Sequence, residues 1–288
     1  MENSQIIKIG QGSPTIGIVG LCHGDEICGR HVLDELKETL PADRTKGTIL
    51  LVYANLPAEE AGERFVEDNL NRVFRKDPAD SLEAGIADQL KHVLARCDLA
   101  LDIHSTSYPS TPFAISTAED EQFDLMAAQT GLSKYVLIGH ELAEAGSLID
   151  FVYDSGGRGV SFEAGTHEDE SSVTVAREVA RNFLAANGFI CGEHRLSEPQ
   201  KFVGIEVIKK PSETFEAYDI ENFALLPAGT PYGKDETGEH SLDYDCHPFL
   251  FSKKCVDNMV FMAGLKHREG LEELYRPVAE PRRSENES

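Results

Sequence analysis

A histidine and a carboxylate three residues apart open the chemistry of this chain. His23-Gly24-Asp25-Glu26 stands where the β-branched run Thr15–Leu21 gives way to a helical pattern. On a tight turn both side chains reach one divalent ion, and His-His-Glu with an open fourth position is a ligand set of catalytic zinc. The third ligand is available in Leu99-Ala-Leu-Asp-Ile-His104, where an apolar strand is expected to end in a histidine. Alone, His-x-x-Glu reads more readily as a helix-entry cap beside a surface histidine; the two strand-end placements together reverse that in favour of a metal. Asp102 points the same way as His104 on a strand of period two, so it either orients an imidazole or is a solvated strand end.

Two further segments carry polar groups that an ordinary core would exclude. Arg64-Phe-Val-Glu-Asp-Asn-Leu-Asn71-Arg72-Val-Phe74 sets two arginines and two asparagines among apolar residues. Arginine forks grip carboxylates at two points, so the stretch reads as an anion-recognition loop; the alternative is surface pairing of Arg64 and Arg72 with Glu63, Glu67 or Asp68. Ser161-Phe-Glu163-Ala-Gly165 is expected to end another apolar strand in a carboxylate followed by small residues. Such a glutamate is either simply solvated or, beside a metal, a proton carrier.

The elements that must position these groups alternate in type. Strands are predicted at Thr15–Leu21, Thr48–Ala54, Leu99–Ile103, Tyr135–Ile138 and Gly159–Phe162, and helices at Ile27–Leu40, Ser81–Arg96, Glu119–Thr130 and Ser171–Asn187. In the last, apolar residues recur three or four apart and Gly188 supplies a stop. This is the pattern of an α/β domain with a largely parallel or mixed sheet. After about residue 195 the runs shorten to Phe202–Ile208, Phe223–Leu226, Pro248–Phe251 and Met259–Met262, divided by Pro, Gly and acidic turns. The expected organisation is a catalytic domain over 1–195, a smaller β-rich domain over 196–280 joined through Glu193–Gln200, and a flexible tail over 281–288.

Composition removes several classes of function. With 27 Lys+Arg against 50 Asp+Glu the formal net charge is −23, so the field of the protein repels nucleic acid and anionic membrane surfaces. The longest apolar stretch, Ile49–Ala54, is far below the ~20 residues of a membrane span, and a cytoplasmic location is expected. The six cysteines form no C-x-x-C pair and are read as reduced thiols, Cys22 beside His23 included.

In order and spacing, His23-x-x-Glu26, Asn55-Leu-Pro57, Arg64 with Asn71-Arg72 seven residues on, Asp102-x-His104 and Glu163-Ala-Gly165 resemble the succinylglutamate desuccinylase/aspartoacylase family, relatives of the zinc carboxypeptidases. The resemblance covers about residues 13 to 190. It implies a carboxypeptidase-like α/β domain, with a mixed sheet flanked by helices, a C-terminal β domain closing over the site, and hydrolysis of a small anionic N-acyl amino acid. Carried over, it makes His23, Glu26 and His104 the ligands of one Zn2+ per chain and Glu163 the general base and acid. Arg64 falls against the scissile carbonyl, with Asn71 and Arg72 on the substrate carboxylate. Cobalt or manganese would also suit this ligand set. A zinc carboxypeptidase and a non-catalytic metal-binding relative are the alternatives, and homo-oligomerisation is left open.

The chain departs from the family in three places. Asn69 stands where the family commonly has Asp, an exchange expected to remove a charge supporting the arginine. The aspartoacylase branch of the family also uses a tyrosine from the C-terminal domain and an arginine shortly before the catalytic glutamate; the similar C-terminal stretch here reads Phe249-Leu-Phe251-Ser-Lys-Lys254 without a tyrosine, and Arg158 stands closer to Glu163 than that second arginine does in the family. Of the other histidines, His31, His92, His140, His194, His240 and His267 are read as surface or structural residues, His167 as a candidate pocket residue and His247 as a candidate lid contact. Glu168-Asp-Glu170 is expected to favour the start of the Ser171–Asn187 helix.

Overall fold

The computed structural model describes residues 3–41, 45–75, 80–139, 142 and 146–267. In chain order the elements are β1 (Gln5–Gln11), β2 (Thr15–Gly20), α1 (Cys28–Thr39), β3 (Gly47–Tyr53), α2 (Leu56–Ala61), α3 (Leu82–Leu94), β4 (Leu99–Thr106), β5 (Phe113–Ser116), α4 (Glu121–Gln129), β6 (Lys134–Leu137), α5 (Leu148–Asp154), β7 (Arg158–Thr166) and α6 (Glu170–Ala186). After them come β8 (Gln200–Lys209), β9 (Glu216–Ala217), β10 (Pro231–Asp235), β11 (Gly238–Ser241), β12 (His247–Phe249) and β13 (Met259–Lys266).

Ten strands form one mixed sheet in the order β1-β3-β2-β4-β7-β5-β6-β8-β13-β12, and β11-β10-β9 form a small second sheet. Its centre is the parallel run β3-β2-β4-β7, whose strands read as almost continuous apolar segments because helices cover both faces. Ile16, Ile18, Leu101 and Val160 pack on the face bearing Val32 and Leu33 of α1 and Phe183 of α6. Val19, Val52 and Ala100 pack on the opposite face with Ile86 and Leu90 of α3 and Val152 of α5. Caps set the helix starts: Ser81, Asp120, Ser147 and Asp169 each accept a backbone N–H of the first turn. The four predicted helices are present and one or two residues shorter than their apolar periods at most ends, since the outermost residues serve as caps.

Two central strands run on past their apolar segments. β4 continues to Thr106 and β7 to Thr166, because His104 pairs with Glu163 and Phe113 of the antiparallel β5 pairs with Glu163 from the other side. His104 and Glu163 therefore lie inside strands, not at their ends. The C-terminal segment is β-rich, but β8 pairs parallel with β6, so β8, β13 and β12 extend the main sheet rather than stand apart from it. Of the predicted runs, Phe223–Leu226 forms no strand and contributes a single bridge, Leu226 to Cys246. Among the described residues no helix is long and apolar enough to cross a membrane. His140 and the tail over 281–288 lie outside the described residues.

Candidate metal centre

The turn after β2 is shaped by close packing. Leu21 takes φ 61°, in the left-handed region, and reverses the chain into Cys22-His23. A Cβ on Gly24 would lie 2.2 Å from the backbone carbon of Ala58, so only glycine lets this turn rest on the start of α2. The Gly24 N–H donates to the Arg64 carbonyl at 3.1 Å, tying the turn to the arginine loop as well.

From this turn His23 and Glu26 meet His104 of β4, all three buried, with their ligand atoms within 4.8 Å of one another. Glu26 spans the two imidazoles, Oε1 at 2.7 Å from His23 Nδ1 and Oε2 at 2.8 Å from His104 Nδ1. Both outer nitrogens are engaged. Asp102, fully buried, accepts from His104 Nε2 at 2.8 Å, which settles its role as the group that orients that ring. Asn69 Oδ1 accepts the Asn71 backbone N–H at 2.9 Å, so the oxygen faces His23 and His23 Nε2 is the donor to it at 3.1 Å. Each ring thus presents Nδ1 inward. Two imidazole Nδ1 atoms and a carboxylate converging in a buried site fit a borderline-soft divalent ion, which would take the place of the Nδ1 proton that His104 shares with Glu26.

The charges are strongly biased. Burial alone would raise the Glu26 pKa, but the two imidazoles hold it well below the usual carboxylate range. Burial would lower His104, yet the carboxylates of Asp102 and Glu26 hold it well above the ordinary value, while burial and Arg64 push His23 down. Glu163, beside His104 in the sheet, is pushed up to about 7 by burial and by the neighbouring Glu26 charge. Its Oε2 is buried without a hydrogen-bond partner.

The arginine loop is built around a carboxylate that sequence reasoning missed. Glu83, fully buried in the first turn of α3, accepts Val66 N at 2.7 Å and Asn55 Nδ2 at 3.2 Å on Oε1, and Glu67 N at 3.1 Å and Asp68 N at 3.0 Å on Oε2. Burial would raise its pKa; these donors bring it below the ordinary value. From the loop Arg64 reaches Glu26 with Nη1 at 3.1 Å and Asp257 with Nη2 at 3.7 Å, not Glu63, Glu67 or Asp68. Asn71 Oδ1 accepts Leu148 N at 2.9 Å, and Arg72 Nη1 donates to the Asn71 carbonyl at 2.8 Å.

His23, Glu26, Arg64, Asn71, Arg72, His104 and Glu163 all line one cavity. Leu250, Phe251, Ser252, Asp257, Met259 and Met262 wall it from the C-terminal segment. The expected support of the arginine by residue 69 is corrected: the Asn69 side chain bonds to His23, the Asn71 backbone and, through Nδ2, Asp257 at 2.9 Å. Arg158 pairs with Leu99 at the far end of β7 from Glu163. His167 does not line the cavity but holds Ser105 Oγ through Nδ1 at 2.8 Å. His247 donates from Nδ1 to the Phe223 carbonyl and packs on Phe202, a structural place. His31, His92, His194 and His267 are exposed, His240 is half-buried beside Asp235, and Cys22 is fully buried, its thiol pushed up by burial.

Residues 13–186 match the profile of the succinylglutamate desuccinylase/aspartoacylase catalytic domain. The chain is 32% identical over 213 residues to N-alpha-acetyl-L-2,4-diaminobutyric acid deacetylase of Halomonas elongata, a match covering 69% of this chain and 62% of that protein's length. It is 24% identical over 260 residues to succinylglutamate desuccinylase of Pseudoalteromonas atlantica, covering 78% and 72% of the two. The product-bound ectoine utilization protein EutE (DoeB) of Ruegeria pomeroyi superposes with a TM-score of 0.72 at 26% identity over 91% of this chain and 88% of that one.

Proposed function

The chain belongs to the succinylglutamate desuccinylase/aspartoacylase family, and from that premise we propose that it hydrolyses the amide bond of a small N-acyl amino acid, using one zinc ion held by His23, Glu26 and His104. The observation that carries the reading is Glu163, a buried carboxyl with an unpartnered oxygen and a pKa raised to about 7, set beside a convergent His-Glu-His group. A structural carboxylate would be paired; one left open at this pKa is suited to pass a proton in both directions near neutrality.

When bound, the ion would supply Lewis acidity, polarising the amide carbonyl and bringing water within reach of a weak base. Glu163 takes a proton from the attacking water as its oxygen bonds to the carbonyl carbon. Arg64, on the cavity wall and in contact with Glu26, donates to the carbonyl oxygen as negative charge develops there. The C–N bond breaks as Glu163 returns its proton to the departing nitrogen, leaving a carboxylate and a free amino acid. Arg72 and Asn71 hold the substrate carboxylate from the same wall.

A small substrate is supported by the cavity wall that the segment after residue 195 contributes, Leu250, Phe251, Met259 and Met262 among its lining, which leaves less room for an extended peptide. A cytoplasmic setting accords with six unpaired cysteines, and the net charge of −23 disfavours nucleic acid as a partner. The name of the Halomonas relative makes N-α-acetyl-2,4-diaminobutyrate the first compound to try. The test combines elemental analysis with amine release from that compound, N-succinylglutamate, N-acetylaspartate and an N-blocked dipeptide. One zinc per chain is expected, with amine release from at least one N-acyl amino acid that chelation stops and zinc restores. Release from the dipeptide alone, or metal-independent release, overturns the proposal.

A further inference from the structure

The two imidazoles of the metal centre are backed unequally. His104 leans directly on a carboxylate, Asp102, whereas His23 leans on an amide, Asn69. That amide does not end the chain of contacts. Its Nδ2 donates to Asp257 Oδ2 at 2.9 Å, so polarisation passes from the Asp257 carboxylate through one amide group to the His23 N–H. Asp257 also lies 3.7 Å from Arg64 Nη2, and Arg64 Nη1 returns to Glu26 Oε1 at 3.1 Å. Since Glu26 Oε1 is 2.7 Å from His23 Nδ1, five side chains close a ring: His23, Asn69, Asp257, Arg64, Glu26.

We propose that Asp257 is a positioning residue for the metal centre, supplying to His23 through the Asn69 amide the negative charge that Asp102 supplies to His104 directly. The inference rests on the reading of His23 as a metal ligand. Its physical basis is that a negative partner on the outer nitrogen raises the basicity of the inner one and fixes the ring, and loss of such a partner typically weakens metal binding about 10- to 100-fold. An amide with no charge behind it gives the orientation but less of the basicity. Asp257 comes from the C-terminal segment, 188 residues from Asn69 in sequence. The backbone around it is held in an unusual shape, with Cys255, Asp257 and Asn258 all in left-handed conformations, φ 49°, 54° and 61°. Strain of this kind persists only where surroundings fix it, here the Lys210 N–H on the Asn258 carbonyl at 2.7 Å and the contacts of Asp257 itself.

The test is the zinc affinity of the full chain, read by competition with a chromogenic chelator and needing no turnover. Asn tolerates a left-handed φ as Asp does, so Asp257→Asn removes the charge while keeping shape and acceptor. Asp257→Gly, equally at ease at that φ, is the second variant, and thermal melts of the metal-free proteins verify folding. The expected result is a loss of zinc affinity of about tenfold in both variants, with Asn69→Asp in the Asp257→Asn background restoring the wild-type value by placing a carboxylate directly on His23. Unchanged affinity in Asp257→Asn overturns the proposal, and so does a loss that Asn69→Asp leaves unrepaired, which would make Asp257 a purely structural contact. If the wild type itself binds no zinc, or His104→Ala binds it as well as the wild type does, the metal reading fails first, and the two failures are told apart.

Discussion

His104 and Glu163 stand side by side on the central strands β4 and β7, while Arg64, Asn71 and Arg72 stand on a stretch whose only regular element is a turn of 3-10 helix over Leu70–Arg72. The first pair is fixed by strand register: two neighbouring hydrogen-bonded strands with helices packed on both faces leave one position for each side chain. The second group is fixed by polar contacts, three consecutive backbone N–H groups gathered on the Glu83 carboxylate. A site can therefore be rigid for two reasons, and the two should fail differently. Disturbing a strand-borne group should change chemistry without changing shape, and disturbing the loop's anchor should change shape first.

The largest effect is expected in the strand-borne half. Glu163→Gln keeps the side-chain outline but accepts no proton, so kcat should fall ~10²-fold or more with zinc content unchanged. The same variant has a stability signature. The folded-state pKa of Glu163 is raised to about 7, so its protonated form is favoured by folding, and that contribution is present at acid pH and lost as pH rises through about 7. Metal-free Glu163→Gln should accordingly out-melt the metal-free wild type at pH 8, by up to about 3 kcal/mol, and the gap should close at pH 4. Equal melting at both values would mean that Glu163 is not held in a raised state.

A smaller effect on turnover is expected from the loop's anchor. Glu83→Gln turns an amide N–H toward two backbone donors, leaving them unpaired at a cost of about 2–4 kcal/mol in stability, and the displaced loop should lower kcat/KM about tenfold. Steady-state kinetics beside a denaturation curve checks both; full activity at reduced stability would show that the loop holds its shape without Glu83. Smaller still is Arg72→Lys, which keeps the charge but loses the fork and should raise KM about threefold for a carboxylate-bearing substrate. Arg64→Lys should act on kcat instead. An amidated substrate is the control, and Arg72→Lys slowing amide and acid equally would remove Arg72 from carboxylate recognition.

The same contrast explains what the sequence disclosed. The central strands were legible because burial on both faces demands uninterrupted Ile, Leu and Val, and the side chains that break those runs, Asp102, His104 and Glu163, stand out against them. Their position inside the strands was not legible, since it depends on β5, a four-residue segment antiparallel to β7 whose Phe113 lies 50 residues before Glu163 in sequence. β1, α2 and α5 were missed as well, being a surface-exposed edge strand and two short helices whose periods are too brief to read. The loop's residues could be named but not explained. Glu83 did leave a signal: it falls on the buried stripe of α3 with Ile86, Ala87 and Leu90, an ionised group on an apolar face. Asp257 left none, because its closeness to Asn69 is a product of the whole sheet.

The contact of Gly24 with α2 bears on how this centre can change over generations. A side chain there would have to occupy the space of the Ala58 backbone, and pushing α2 aside would disturb Asn55, which caps that helix and also donates to Glu83. The codon for residue 24 is consequently closed to neutral drift. In a library randomised across the 23–26 turn, selection for a folded protein would return glycine at that position whatever substrate the selection employed, so new specificities have to be sought on the cavity wall.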